Sequence, residues 1–322
     1  MNQTALPLEL PLPTDRIGFQ LGLDHARHGL APTPEAMRAG AALHEGRLAG
    51  RALFGQRAAR STRALRSWLG WRTQAWIDGV PFDLDSLTPA ALEAMLPRDC
   101  PVQRRPLGGL PGSADAPVLW RLAGAGAYRA GAVAWVSHAA AQAAPGALDA
   151  DAWRRWNALR ALATPMPHVQ ALRIPLALLP PPGVVPVNPA QRLQLWITLE
   201  LAAPGWSTRL RQMADLIDDS GTRQDFQLFI GALAPRALEL PTAECGQRLR
   251  HALEDLWSNP RVMQRWSSLA LALGEAGTLQ LLARAAQHAS RHGQRPAKPA
   301  AAAPVKPRRW PVVQPAARLP AA

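Results

Sequence analysis

The 322-residue chain carries 36 Lys and Arg residues against 23 Asp and Glu, a net charge of +13, and 48% of its residues are hydrophobic. This composition is sufficient for a packed core and excludes a wholly disordered chain, and the length fits two ordinary domains. Two cysteines without a CxxC spacing exclude a disulfide framework and predict a cytoplasmic protein. The longest uncharged apolar stretch, 174–187, contains five prolines, so we expect neither a membrane span nor a membrane partner.

The sequence up to Pro97 is predicted to be helical. Thr33 and Thr88 are typical N-caps, because each hydroxyl precedes a proline suited to the first helical position. Gly46 and Gly50 lie one turn apart, so their shared face is predicted to pack closely against another helix. The predicted helices span 15–29, a short run from Thr33 onward, about 41–58, 62–78, and 88 to before Pro97.

The pattern changes after Pro97. The segment from Cys100 to Pro117 is rich in Pro, Gly and Arg and is predicted to be a loop. Short apolar stretches at 118–122 and 132–137, separated by glycines, predict a β-hairpin, and a helix is expected to begin at His138. This ββα unit is the only clear β signal in the sequence, so the fold class is predicted to be mainly α.

A second helical region is predicted after a proline-rich connector. Asp149 or Asp151 is expected to cap the last helix of the first region, 1–164. The connector, 165–188, is too rich in proline for a continuous helix, and we place a domain boundary there. An all-helical domain is predicted over 189–292, with helices at about 189–203, 206–217, 222–238, 243–258, 260–273 and 276–291, the first capped by Asn188 and the fourth by Thr242.

The segment 293–322 is predicted to be a disordered basic tail, because its Pro, Ala and cationic residues cannot form a core. From Ala289 onward the chain has seven basic residues and no acid. Such a tail is typical of a segment that binds polyanions. Nucleic acid is the commonest polyanion partner, and we expect DNA in particular. A protein partner could bind at one of two candidate regions. These are Arg308 to Trp310 within the tail and the C-terminal helices.

The ββα unit, about residues 98–145, resembles the HNH endonucleases of the ββα-metal class. Cys100-Pro101 is similar to the Cys-Pro dipeptide that precedes the hairpin in that family. The segment 120–137 aligns with the family hairpin without a gap, matching at Arg121, Tyr128, Gly131 and Ser137. The resemblance implies a DNA-binding scaffold and an origin in mobile genetic elements.

Three departures from the HNH pattern imply that the scaffold has lost its site. Trp120 stands where the family has Asp, Gly124 where it has the first Asn, and Ala132 where it has the Asn after Gly. The chemistry needs ligands for a divalent ion and a base that activates water, and these residues supply neither. We therefore expect no catalytic residue, no metal and no other cofactor.

A second candidate feature is the run from 47 to 72, which contains seven arginines and no acid. The paired N–H groups of an arginine guanidinium fit the oxygen atoms of a phosphate. Trp68 and Trp71 lie among these arginines, and tryptophan side chains can stack on nucleic-acid bases. The alternative is a solvated helical face with the tryptophans turned inward. The predicted nucleic-acid contacts are Arg47, Arg51, Arg57, Arg60, Arg63, Arg66 and Arg72, together with Arg121 of the hairpin.

Three functions remain open from the sequence. The first is a non-enzymatic DNA-binding protein on a degenerate HNH-like scaffold. The second is a structural or interaction protein whose C-terminal helices bind another protein. The third is a metal-dependent nuclease with unorthodox ligands such as Asp99, Asp115 or His138. His25 and His28 have a spacing suited to a metal, but surface histidines on a solvated helix are the commoner explanation.

Overall fold

The computed structural model describes residues 15–291, apart from 56–58, 60, 123–125, 144–145, 182–183 and 243–244. The fold is mainly α-helical, as predicted, with one two-stranded antiparallel sheet. No helix of the described part is long and apolar enough to cross a membrane. The helices are α1 (Arg16–Arg27), α2 (Pro34–Ala39), α3 (Ala41–Phe54), α4 (Arg63–Ile77), α5 (Pro89–Met95), α6 (His138–Gln142), α7 (Ala150–Ala161), α8 (His168–Ala171), α9 (Pro189–Leu201), α10 (Trp206–Asp215), α11 (Ser220–Leu238), α12 (Gln247–Leu256) and α13 (Pro260–Arg291); the strands are β1 (Pro117–Arg121) and β2 (Val133–Ser137).

Three of the predicted N-caps make the expected side-chain bond, a fourth has the position without the bond, and the fifth is wrong. Thr33, Thr88 and Asp149 each accept a hydrogen bond from a backbone N–H three residues later. Asn188 occupies the N-cap position of α9 as predicted, but its side chain makes no capping bond, because its amide donates to the carbonyl oxygens of Ala161 and Thr164 at the end of α7. Thr242 is not the N-cap of α12, because this helix begins at Gln247 and its N-cap is Gly246.

Glycines bring α1 and α3 into close contact, as the spacing of Gly46 and Gly50 predicts. A Cβ added to Gly46 would lie 1.9 Å from the carbonyl oxygen of Phe19, and one added to Gly50 would lie 2.6 Å from the Cβ of Ala26. The two backbones therefore approach more closely than any side chain permits. Because Gly46 faces Phe19 and Gly50 faces Ala26, the two helices run parallel.

Helix α4 packs antiparallel across α1. Its middle is joined to the later part of α1 by an ion pair from Arg72 to Asp24, with 2.7 Å between Nη1 and Oδ2. Its last turn reaches the start of α1, where Trp76 Nε1 donates to Asp15 Oδ2 over 2.7 Å. These two contacts, made in reverse chain order, fix the direction of α4 relative to α1.

The hairpin lies between two cores. On one face, Leu119, Val133 and Trp135 pack with residues of α4 and α5. On the other face, Leu122, Ala134 and Val136 join a larger core that the C-terminal helices build. Since every residue of β2 is buried, this strand is covered on both sides, which explains its continuous apolar sequence.

The middle of the proline-rich connector is packed into the core. Leu176, Ala177 and Leu178 are buried, and the short helix α8 lies within the segment. Described residues from before and after the connector contribute to the same core, and the domain boundary there stays a prediction. The predicted break between 273 and 276 is present, because Gly274 has non-helical backbone angles within α13. The predicted disordered tail, 293–322, lies outside the described residues.

A polar junction around the buried Glu254 joins the loop before the hairpin to α12. The Arg104 guanidinium donates to both carboxylate oxygens of Asp255, over 2.9 and 2.7 Å, and to Glu254 over 3.2 Å. Glu254 is 4% exposed and also accepts from the backbone N–H of Leu179 at 2.9 Å and from Arg250 at 3.2 Å. A buried carboxylate with three donors is satisfied, so this junction fixes the hairpin unit against the C-terminal helices.

Candidate nucleic-acid interface

The described arginines of the 47–72 run belong to α3 and α4. Arg51, Arg63 and Arg66 are exposed, whereas Arg47 is half-buried. Arg57 and Arg60 lie outside the described residues.

Arg72 does not face solvent, and its prediction as a nucleic-acid contact is corrected. Its side chain is buried against Asp24, and its guanidinium carbon lies 4.7 Å from the centre of the Trp68 ring. A guanidinium held between a carboxylate and an indole is not free to bind a phosphate. Asp24 lies 48 residues earlier, so the lack of acids within 47–72 does not reveal this pairing.

The tryptophans of this segment point into the protein. Trp68 Nε1 donates to the carbonyl oxygen of Leu87 over 2.6 Å. Trp71 packs edge to face on Trp135, with ring centres 6.2 Å apart. The interpretation that Trp68 and Trp71 stack on bases is therefore wrong, and the alternative, inward-facing tryptophans, describes them correctly.

Three helix ends meet where the exposed arginines lie. The directions of α1, α3 and α4 place the C-termini of α1 and α3 and the N-terminus of α4 at the same end of the three-helix unit. Arg27 ends α1, Arg51 lies in the last turn of α3, and Arg63 and Arg66 begin α4. The Ala59 N–H donates to the carbonyl oxygen of Arg27 over 3.0 Å, so Ala59 lies at this same end. We call the four exposed arginines Arg27, Arg51, Arg63 and Arg66 the arginine-rich end.

Helix electrostatics separate these arginines into two pairs. Arg27 and Arg51 lie at helix C-termini, where a cation stabilises its own helix. Arg63 and Arg66 lie at the positive N-terminal end of α4, where a cation costs roughly 0.3–1 kcal/mol, most for Arg63. Helix stability therefore accounts for the first pair and not for the second. Within the described residues, no ion pair neutralises Arg27, Arg51 or Arg66.

Sequence reasoning missed Arg27. It is separated from the arginine run by twenty residues and is followed by a turn, so nothing in the linear pattern joins it to Arg51. The available signal was the glycine pair in α3, which predicted a close helix neighbour without saying which helix it is. The structure shows that this neighbour is α1. Because the two helices run parallel, their C-terminal residues Arg27 and Arg51 belong to one surface.

The ββα unit has the order that the sequence predicts. Strands β1 and β2 pair antiparallel, with Pro117 opposite Ser137, and α6 follows directly. Cys100 is buried beside this junction, and its Sγ accepts from the Ser137 N–H over 3.3 Å. The Ser137 hydroxyl caps α6 by accepting from the Ala140 N–H over 3.2 Å. Two residues matched to the HNH pattern, Cys100 and Ser137, are therefore in contact.

The other matched residues have structural contacts. Arg121 is half-buried, donates to the carbonyl oxygen of Gly126 over 3.3 Å and lies 5.2 Å from the centre of the Tyr128 ring. Tyr128 stacks on Phe82 with ring centres 5.9 Å apart. Gly131 has a φ of 83°, the left-handed conformation that glycine adopts without strain. These contacts tie Arg121 to the hairpin rather than to the arginine-rich end.

The positions where the HNH family has polar site residues hold packing residues instead. The Trp120 ring lies 5.1 Å from that of Trp156, and Ala132 is buried. Gly124 lies outside the described residues. At these two described positions the side chains fill space, and neither an indole nor a methyl group can ligate a cation or accept a proton from water.

The unorthodox ligand candidates are also placed. Asp99 accepts a hydrogen bond from Gln247, Asp115 is exposed, and His138 opens α6 half-buried. In the described part of the chain, no group of three or more His, Cys, Asp or Glu residues is arranged to hold a metal ion.

His25 lies beneath the arginine-rich end and is not a surface histidine. It is 6% exposed, and its Nε2 lies 3.1 Å from the Thr73 hydroxyl, which itself donates to a backbone carbonyl. Burial lowers the pKa of His25 to about 4; Asp24 opposes this shift, and Arg47 and Arg72 add to it. The imidazole is therefore neutral at pH 7.

We expect this histidine to make stability depend on pH. Because the folded pKa lies below the unfolded value of 6.5, the unfolded chain binds more protons as pH falls from 6.5 towards 4. Stability is complete above pH 6.5 and is lost below it, by about 2 kcal/mol between pH 7 and pH 5. Urea unfolding at both pH values measures this, with His25→Leu as the comparison. Equal losses in parent and variant would contradict the assignment.

Comparison of the chain with protein-family models, with curated proteins and with solved structures gave no match.

Proposed function

We propose that the protein binds DNA without cleaving it, through phosphate contacts made by the arginine-rich end. The observation that carries the proposal is that Arg27, Arg51 and Arg66 are exposed at one end of the three-helix unit and have no ion pair among the described residues. Arg66 also lies near the positive N-terminal end of α4, where a nearby anion would relieve an unfavourable charge. A basic chain with a further cationic segment at its C-terminal end adds non-specific attraction for a polyanion.

The proposal includes a degenerate HNH-like scaffold of mobile-element origin. It is supported by the ββα order, by the contact between Cys100 and Ser137, and by the apolar residues at 120 and 132. The scaffold would position the DNA-binding helices rather than supply chemistry.

The direct test replaces Arg63 and Arg66 together by glutamine. We expect the affinity for duplex DNA to fall roughly tenfold or more near 0.1 M salt, and the slope of log K against log salt to decrease by about two units. Fluorescence anisotropy with a labelled duplex, titrated at several salt concentrations, measures both quantities.

A matched control removes the same charge elsewhere. Arg160 is exposed in the last turn of α7 and Arg211 is exposed past the first turn of α10, so neither lies at a helix N-terminus. Arg160→Gln with Arg211→Gln should leave the salt slope nearly unchanged. If both double variants bind like the parent, these arginines only solubilise the protein. The second candidate, a protein that binds another protein through its C-terminal helices, would then take precedence.

The nuclease alternative has its own readout. We expect no cleavage of DNA with magnesium, manganese, nickel or zinc, because the described positions that match the family's site carry Trp120 and Ala132. Cleavage that His138→Ala abolishes would identify an active site built from other ligands.

A further inference from the structure

A groove runs along the solvent-facing side of α9, between α10 and α13. It consists of two adjoining recesses that share Trp196 and Glu200. The larger recess has a volume of about 160 Å³, and we call it the α9 recess. Its other lining residues come from one face of α9, from the connector and from α13; they are Arg192, Leu195, Leu199, Val185 and Leu282.

The walls of the α9 recess are mainly apolar and partly open to solvent. Leu195 and Trp196 are only partly buried against the core, and Val185 is 65% exposed. An apolar cavity of about 150 Å³ is large enough to bind one benzene molecule. The α9 recess therefore has the size of a single aromatic ring, and the indole of Trp196 offers that ring a stacking surface.

The charges around the groove favour an anion. The Glu200 carboxylate is already paired, because it accepts from Arg209 Nε. Arg209 is committed as well, since it also donates to the backbone carbonyl oxygens of Glu200 and Ala203, over 3.0 and 3.1 Å. Arg192, by contrast, is exposed and forms no ion pair within the described part of the chain. The α9 recess thus combines apolar walls with one uncommitted guanidinium.

This combination is complementary to an aromatic carboxylate. Two parallel N–H groups of a guanidinium can bind both oxygens of a carboxylate, a contact that a neutral ligand leaves unused. An aliphatic chain would fill the recess without stacking on Trp196. A cationic ligand is disfavoured, because it would meet Arg192 while Glu200 is neutralised by Arg209.

We propose that the α9 recess binds a small carboxylic acid with a single aromatic ring, the ring against Trp196 and the carboxylate on Arg192. These two residues are four positions apart on α9, about 6 Å along the helix axis. An acid whose carboxylate is two or three carbons from its ring, such as phenylpropionate, can reach both. This inference does not depend on the proposed DNA binding, because the arginine-rich end belongs to α1, α3 and α4.

Ligand-observed fluorine NMR with the full-length protein tests the proposal. The probes are a ring-fluorinated phenylpropionate and its neutral amide, which has the same ring and nearly the same shape. We expect the acid to bind with a Kd of about 1 mM or tighter, and roughly tenfold or more tightly than the amide. Equal binding of the two probes, or no binding of the acid at about 10 mM, would overturn the proposal.

Substitutions of exposed residues locate the binding. Arg192→Gln should lower the ratio of acid to amide affinity to about one by weakening the acid alone, and Arg192→Lys should keep part of the ratio. Val185→Asp adds a carboxylate beside the recess and should weaken only the acid. Arg211→Gln is the matched control, since Arg211 is exposed on α10 without lining the groove, and it should leave the ratio unchanged.

Three results with these variants would each overturn the proposal. The first is a parental ratio in Arg192→Gln, the second is an equal loss of the ratio in Arg211→Gln, and the third is parental binding of the acid in Val185→Asp.

Discussion

A Gly46→Ala variant is expected to lose about 3 kcal/mol of the free energy of unfolding. The added methyl group would lie 1.9 Å from the carbonyl oxygen of Phe19, a backbone atom that cannot move without separating α1 from α3. Overpacking of this kind outweighs the better helix propensity of alanine, which is worth roughly 1 kcal/mol. Urea denaturation followed by circular dichroism measures the change.

Gly70 provides the matched control. It is exposed in α4, and a Cβ added there meets nothing within 4 Å. Gly70→Ala should therefore stabilise the protein by roughly 0.5–1 kcal/mol. If both alanine variants change stability by the same amount, the close packing of α1 on α3 is not what holds the three helices together.

The second large effect is expected at Glu254. Glu254→Gln keeps the size of the side chain but places an amide NH₂ in a site built from donors. The Arg104 and Arg250 guanidinium groups and the Leu179 N–H all point at this residue, which is 4% exposed. Arg104 keeps its two bonds to Asp255, but the new NH₂ group faces donors in a buried site and takes the place of an acceptor. A loss of about 3 kcal/mol is therefore expected.

The exposed pair between Arg236 and Glu239 shows how much of this effect is due to burial. Their side chains are 56% and 69% exposed and 3.3 Å apart. Glu239→Gln should change stability by less than about 0.5 kcal/mol, since solvent screens such pairs. A similarly small effect of Glu254→Gln would mean that the junction between the hairpin unit and α12 contributes little to the fold.

Most of the secondary structure is predictable from local chemistry. Thr33, Thr88 and Asp149 mark helix starts because capping is a contact between neighbours in sequence. The break at Gly274 and the hairpin follow from backbone preferences that need no tertiary information. Asn188 misleads for the opposite reason, since its amide is used in long-range contacts that the local pattern does not contain.

The candidate site is only partly predictable. The run of arginines is visible in the sequence, but its division into exposed and buried members depends on Asp24, a partner 48 residues from Arg72. The convergence of Arg27 with Arg51 depends on the parallel packing of α1 on α3, which the glycine pair suggests without identifying the partner helix. Burial of the connector likewise depends on the helices that surround it.

The most direct test of the central claim, that three helix ends form one DNA-binding surface, is the salt dependence of duplex binding by Arg27→Gln with Arg51→Gln. These residues lie on α1 and α3, away from Arg63 and Arg66 in sequence. We predict that this double variant loses about two units of slope, as the Arg63 and Arg66 variant does. The shared surface would be contradicted if the Arg27 and Arg51 variant kept the parental salt slope and affinity while the Arg63 and Arg66 variant clearly lost both.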